Sequence, residues 1–171
     1  MNEYWEKIKR LFSPREIVKD IREIDFQSLR AKGIKALILD IDDTLLPRTV
    51  NDITPQIFEW VVARKEEGFR LCLTSNSRHP LRVKYIGESL RLPAMHLSFK
   101  PLPFAFWKSL AILHARPEET AMIGDQLFMD ILGANLLKIH SILVDHGKEE
   151  TFWPRKMMRM AENWVLVRLK L

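Results

Sequence analysis

The sequence is poor in cysteine and glycine, and it has no long uncharged run. A single cysteine, Cys72, in 171 residues excludes an intrachain disulfide and any zinc site built on thiolates. With only six glycines the chain has neither a low-complexity nor a disordered composition. No stretch reaches the roughly 18 consecutive apolar residues that a membrane-crossing helix needs. The opening residues MNEYWEKIKR carry charge where a signal peptide would carry its apolar centre, so a cytoplasmic location is expected. What is present, 47% hydrophobic and 29% charged residues, suits one domain with a real core over residues 1–171.

The formal charge of +5 is unevenly spread. Residues 1–35 hold nine basic and six acidic side chains, residues 36–147 hold 12 and 13, and residues 148–171 hold six and three. Basic ends flank a nearly neutral centre. Without a stronger basic excess or a recognition motif, no specific nucleic-acid binding is expected. At about 100° per residue, Tyr4, Trp5, Ile8, Leu11 and Phe12 share one face of a helix that Pro14 stops, with Lys7, Lys9 and Arg10 outside it. Met157, Met158, Ala161, Trp164 and Val165 make a similar face beside Arg155, Lys156 and Arg159. Two readings of these amphipathic ends stand: packing on the domain or in an oligomer, or peripheral association with an anionic membrane.

Between the ends, strand-like and helix-like segments alternate, the pattern of a mostly parallel sheet covered on both faces. Strands are expected near 35–39, 69–74, 94–97, 120–124 and 139–144. Helices are expected over 55–67, after the N-cap pair Thr54-Pro55, and over 80–90, 103–114 and 127–137. The fold expected is α/β, a doubly wound, mostly parallel five-stranded sheet with its core over residues 34–145. Ligands of such sheets bind beyond the carboxyl ends of the strands. The polar residues that fall there are Asp40, Asp42, Asp43 and Thr44, then Ser75 and Asn76, then Lys100, then Asp125 and Asp130.

Asp40-Ile41-Asp42 sets two carboxylates one residue apart where a strand breaks into a loop. Alternate positions of extended chain face the same way, so the two could share one pocket. Close carboxylates repel unless a cation lies between them, and hard oxygen donors favour magnesium. A solvated acidic turn is the other reading of this pentapeptide alone. A calcium loop fits poorly, with Leu45 where its glycine belongs and Asn51 where its glutamate belongs. Ser75 and Asn76 offer a hydroxyl and an amide to phosphate oxygens, Lys100 a fixed cation, and Asp125 and Asp130 further carboxylates. Each taken alone has an ordinary structural reading as a turn pair, a solvated lysine or a helix cap.

A rival signature sits in the second strand. Cys72 and Arg78 have the Cys-x5-Arg spacing of cysteine-dependent phosphatases. Yet Leu71 rather than histidine precedes the cysteine, no glycine opens the loop, and a thiol inside an apolar strand is inert. The five histidines are dispersed and show no metal-ligand spacing.

In order, DxDxT, a strand ending in Ser-Asn, Lys-Pro and GDxxxxD resemble the four motifs of the haloacid dehalogenase (HAD) superfamily of phosphatases. GIKALILDIDDTLL, LTSNS, KPLP and MIGDQLFMDILGANLL carry the resemblance. The chain is similar to the capless subclass III branch, which includes the YqeG family and the phosphatidylglycerophosphate phosphatases. Arg159 to Glu162 resemble that branch's C-terminal basic and acidic pair. Met129 departs from the small hydroxyl residue usual before Asp130, and Ser98-Phe99 from the small residues common before Lys100. The resemblance implies Asp40 as a nucleophile that becomes an aspartyl phosphate, and Asp42 as general acid and then base. It implies magnesium (Mg2+) held by Asp40, the Asp42 backbone carbonyl and Asp125. Thr44, Ser75, Asn76 and Lys100 would bind the phosphate, with Asp130 orienting Lys100 or a water.

Superfamily members close their sites with a cap inserted after the first or the second motif. Residues 45–74 and 77–99 leave no room for one. An open site suits a large substrate, a membrane surface or a partner chain, and disfavours a phosphomutase, which must retain its intermediate. The expected activity is hydrolysis of a phosphomonoester on a lipid head group such as phosphatidylglycerophosphate. A phosphoprotein or nucleotide is the alternative substrate, and a binding or assembly factor without turnover is the alternative of another class.

Overall fold

Ala36-Leu37-Ile38-Leu39 is apolar at every position, as a strand covered on both faces should be. The computed structural model describes residues 3–147 and 153–169. The chain begins with α1 (Glu3–Phe12), β1 (Glu16–Val18), α2 (Phe26–Ala31), β2 (Ala36–Leu39), α3 (Pro55–Glu66) and β3 (Arg70–Thr74). It continues with α4 (Pro80–Leu90), β4 (Ala94–Met95), α5 (Pro103–Leu113), β5 (Thr120–Gly124), α6 (Leu132–Leu136), β6 (His140–Val144) and α7 (Trp153–Leu169). The strands form one parallel sheet in the order β1-β6-β5-β2-β3-β4.

The sheet has six strands where five are expected, because β1 pairs with the outer edge of β6, Glu16 opposite Ile142. Three residues are too few to show an alternating pattern, and this strand lies at a sheet edge, where burial is incomplete. A second difference follows β5. The helix expected over 127–137 opens with a wide π-type turn over Leu127–Ile131 before α6 begins. Residue-level periodicity does not separate a π turn from an α-helix, since both place apolar residues inward.

The two faces of the sheet divide the core. Leu37, Leu39, Leu71, Leu73, Ala121 and Ile123 pack against Phe26 and Leu29 of α2 and Trp60 and Val61 of α3 on one side. Ala36, Ile38, Cys72 and Met122 meet Phe106 and Leu110 of α5 and Ala134 of α6 on the other. From central β2 the chain steps outward through β3 and β4, then returns to β5 on the opposite flank. That reversal opens a crevice beyond the ends of β2 and β5. Residues 45–74 and 77–99 are fully taken up by α3, β3, α4, β4 and their short connections, so no cap domain stands over the crevice.

Both terminal helices pack on the domain. Phe12 of α1 meets Phe128 edge-on with ring centroids 5.8 Å apart, and Val165 and Leu166 of α7 join the same cluster. Asn135 Nδ2 donates to the carbonyls of Leu11 and Ser13 at 2.9 and 3.0 Å, capping the end of α1. Among the described residues no helix is long and apolar enough to cross a membrane.

Gly133 marks the tightest contact between α6 and α5. A Cβ there would strike the Phe106 ring and lie 3.2 Å from Pro101 Cα, with both neighbours held by the core. Gly133→Ala is expected to destabilise the fold by about 1–3 kcal/mol, the usual cost of overpacking. Urea unfolding would measure it, and an unchanged midpoint would mean that the Phe106 ring can move aside.

Candidate active site

The site begins where β2 runs out. Asp40 N–H still donates to the Ile123 carbonyl at 2.9 Å, extending the sheet by one residue. The chain then curls so that the Ile41 carbonyl accepts from the N–H groups of Leu45 and Leu46, both at 3.1 Å. Asp43 takes a left-handed conformation at φ 61°, which aspartate tolerates better than most residues. The curl buries Asp40, Asp42 and Thr44 together. Thr44 Oγ1 donates to Asp40 Oδ2 at 3.3 Å, so its hydroxyl orients the predicted nucleophile.

Lys100 arrives from the segment after β4. Its ammonium donates to Asp40 Oδ1 at 2.6 Å and to the Thr74 carbonyl at 3.0 Å, and it forms an ion pair with Asp130 Oδ1 at 2.7 Å. Asn76 fixes the segment that delivers it. The Asn76 amide donates to the Lys100 carbonyl at 3.0 Å, and its Oδ1 accepts from Ser98 Oγ at 2.8 Å and Lys100 N–H at 2.9 Å. These bonds use Oδ1 and one of the two amide N–H donors of Asn76. Ser75 Oγ donates to Asp42 Oδ2 at 3.2 Å and accepts from Ser77 N–H at 3.0 Å.

Asp125 and Asp130 flank the π turn. Gln126 N–H donates to Asp130 Oδ2 at 3.1 Å, and the turn swings this carboxylate back across Gly124. A Cβ on Gly124 would strike the Asp130 carboxylate, so only glycine fits at the end of β5. Carboxylate oxygens of Asp40, Asp125 and Asp130, all buried, come within 4.8 Å of one another. Burial pushes Asp40 well above the ordinary carboxylate range; Lys100 opposes this, and Asp130 and Asp125 add to it. Three clustered carboxylates, two of them paired with Lys100, form an all-oxygen donor set with excess negative charge, which fits a hard divalent cation. The Asp42 side chain points elsewhere, to Ser75 and to Arg82.

Arg82 is the site residue that sequence reasoning missed. Its Nη1 donates to Asp42 Oδ1 at 2.6 Å, while Nε reaches Asn51 Oδ1 at 2.9 Å and Nη2 the Val50 carbonyl at 3.1 Å. It lies two positions into α4 and in no motif; only its place in the first turn after the Ser75-Asn76 loop hinted at the site. Arg159 of α7 donates to the Asp125 carbonyl at 2.7 Å and to Asp145 Oδ1 at 3.1 Å. Glu162, one turn on, is buried and accepts from Phe128 N–H at 3.0 Å. The basic and acidic pair thus props the back of the Asp125 loop. Cys72 is 1% exposed in the middle of β3, and burial pushes its thiol up to about 12, which removes it as a nucleophile at neutral pH.

The fold matches known structures. A crystal structure of a Listeria monocytogenes protein aligns with a TM-score of 0.55 at 19% identity, over 81% of this chain and all of that one. The HAD phosphatase from Thermococcus onnurineus aligns with a TM-score of 0.53 at 15% identity, over 70% of this chain and 90% of that one. At such identities the likeness concerns the fold, and that fold is the HAD-type α/β sheet. Residues 99–166 match the HAD-hydrolase-like family profile, and residues 6–80 match the profile of mitochondrial PGP phosphatase. The probable phosphatase YqeG of Bacillus subtilis is 32% identical over 163 residues, which span 95% of this chain and 94% of that protein. The chain belongs to the YqeG family of HAD-type phosphatases.

Glu162 gives this region a pH signature. Burial raises its carboxyl from 4.5 to about 7, against the pull of the Phe128 N–H and Arg159. Between those values the folded chain binds the proton that the unfolded chain has released, so this group's contribution to stability falls as pH rises through the window. Glu162→Gln keeps an acceptor for Phe128. It should unfold like the wild type at pH 5 and be more stable than the wild type at pH 8, by up to about 3 kcal/mol, in urea titrations. An equal difference at both pH values would show that the carboxyl is solvated.

Proposed function

We propose that this phosphatase is magnesium-dependent, that it works through an aspartyl phosphate on Asp40, and that it hydrolyses a phosphate on a lipid head group such as phosphatidylglycerophosphate. The observation that carries the chemistry is the convergence of the Asp40, Asp125 and Asp130 carboxylates around Lys100 at one buried point. Magnesium held by Asp40, Asp125 and the Asp42 carbonyl would neutralise charge between an anionic phosphate and an anionic nucleophile. Lys100 keeps Asp40 fixed and offsets part of its charge.

An Asp40 carboxylate oxygen attacks phosphorus, the ester P–O bond breaks, and Asp42 protonates the departing alkoxide. Asp42, now a carboxylate, takes a proton from water as the water oxygen attacks the same phosphorus. The bond from phosphorus to Asp40 breaks, phosphate leaves, and both side chains return to their starting states. Both Asp42 oxygens are engaged, one by Ser75 and one by Arg82, so proton delivery requires one of these contacts to open. The Ser75 and Asn76 turn and Lys100 border the space where the phosphate oxygens would sit.

Two observations support the lipid substrate. Residues 6–80 match the mitochondrial PGP phosphatase profile, and the crevice has no cap to enclose a small metabolite. EDTA should abolish activity and magnesium restore it. Asp40→Asn should leave essentially no turnover, and Asp42→Asn should lose about 10²- to 10⁴-fold. The substrate is tested by comparing kcat/KM for phosphatidylglycerophosphate in detergent micelles with sugar phosphates, nucleotides and phosphopeptides. Near wild-type activity in Asp40→Asn would end the mechanism, and a preference for a soluble substrate would end the lipid reading.

A further inference from the structure

The segment that delivers Lys100 reverses the usual rule of burial. Ser98 and Lys100 point inward, 5% and 3% exposed, whereas Leu97 and Phe99 between and before them are 39% and 62% exposed. Leu102, Phe104 and Trp107 continue the exposed apolar series into the first two turns of α5. Leu81, in the first turn of α4, lines a groove of about 340 Å3 together with Lys84 and His96, next to Leu97. Leu81, Leu97, Phe99, Leu102 and Phe104 lie in the connections after β3 and β4 or in the first turns of α4 and α5, which cover opposite faces of the sheet. The result is an apolar belt at the mouth of the site, one residue away from the ammonium that touches Asp40.

Charge around the belt is mostly basic. From Ser75 to Lys108 the chain has six basic residues and one acid, Glu88. Arg78, Lys84 and Lys108 are exposed, and Glu88, which lines the far end of the Leu81 groove, lies 3.7 Å from Lys84. Exposed aromatic and aliphatic side chains among lysine and arginine suit the head-group layer of an anionic bilayer. A second copy of the chain is a poor occupant, because a twofold interface would press Arg78, Lys84 and Lys108 against their own like charges.

We propose that this belt docks on an anionic lipid bilayer and so presents the open site to a phosphate at the membrane surface. The proposal rests on the lipid reading above. It places membrane contact at the active-site mouth rather than on α1 or α7, whose inner faces are already packed on the domain.

The test uses the full chain and vesicles of equal parts phosphatidylglycerol and phosphatidylcholine, with pure phosphatidylcholine as control. Wild type should sediment with the anionic vesicles and not with the neutral ones, and salt should weaken the association. Phe104→Ser with Trp107→Ser should weaken binding roughly tenfold or more. Lys84→Glu with Lys108→Glu should weaken it comparably. Both variants should hydrolyse soluble p-nitrophenyl phosphate at the wild-type rate, which also reports that they fold. Met160→Ser with Trp164→Ser, on the exposed side of α7, should bind like wild type.

No binding by wild type, undiminished binding by the belt variants, or loss confined to the α7 variant would overturn the proposal. So would a wild-type dimer that the Phe104 and Trp107 changes convert to monomer in sedimentation velocity. Hydrolysis of phosphatidylglycerophosphate in micelles separates the two readings. Activity there without vesicle binding removes the docking surface and keeps the lipid substrate, and vesicle binding without that activity does the reverse.

Discussion

An ammonium held between two buried carboxylates sets the terms for the rest of the site. Lys100 is 3% exposed and lies within 2.7 Å of both Asp40 and Asp130. Taking an ammonium out of water costs several kcal/mol unless close partners replace the lost hydration. Burial alone would depress the lysine, but Asp130 and Asp40 outweigh it and hold the group above its usual range. The same burial drives Asp40 toward its neutral form, and Lys100 is what opposes this. The lysine's charge rests on Asp130 first and Asp40 second, and Lys100 only partly offsets what burial does to Asp40.

The local oddities of the chain follow from keeping this pair in register. Asp130 has to reach Lys100 from the far side of β5. The π turn supplies the reach, and Gly124 supplies the space. Lys100 has to enter from a loop, and loops hold position poorly unless their backbone groups are tied. Asn76 ties this one with three hydrogen bonds, and Ser98 N–H donates to the Ser75 carbonyl at 3.0 Å beside it. The carbonyl of Asp125 is braced from behind by Arg159, which makes α7 part of the site's support although it is the last helix in the chain.

How much of this can be read in the sequence depends on how local the signal is. Asp40, Asp42 and Asp125 follow apolar runs that read as strands, so strand periodicity places them on one edge, while Lys100 and Asp130 are marked by the order of the motifs, and the structure brings all five together. Arg82 is different. Its role comes from which helix face meets which loop, and nothing within a few residues encodes that, whereas Glu162 is marked only by the resemblance of the Arg159 to Glu162 segment to the branch's C-terminal pair. Asn76 shows a subtler limit: residue type predicts that its amide makes hydrogen bonds, and only the approach of the 98–100 segment determines with what. The edge strand β1 escapes because three residues, two half-buried around an exposed Ile17, carry too little pattern.

The segment 97–104 combines the deepest cation and some of the most exposed aromatics, and the two facts are connected. Ser98 and Lys100 point inward while Leu97 and Phe99 point outward, an alternation that the left-handed turns at 97 and 99 produce. Small or polar neighbours would satisfy that geometry without exposing apolar area to water. Leucine and phenylalanine at positions 97 and 99, each at positive φ, satisfy it at a cost in both solvation and backbone energy. Such a cost at the lip of a site without a cap points to something that covers the lip during turnover. Covering it would also dry the crevice, and a drier crevice strengthens the attraction between Lys100 and the charge that develops on the transferring phosphoryl group. Superfamily members with a cap can exclude water with their own chain; an uncapped site has to borrow that exclusion from the surface it meets.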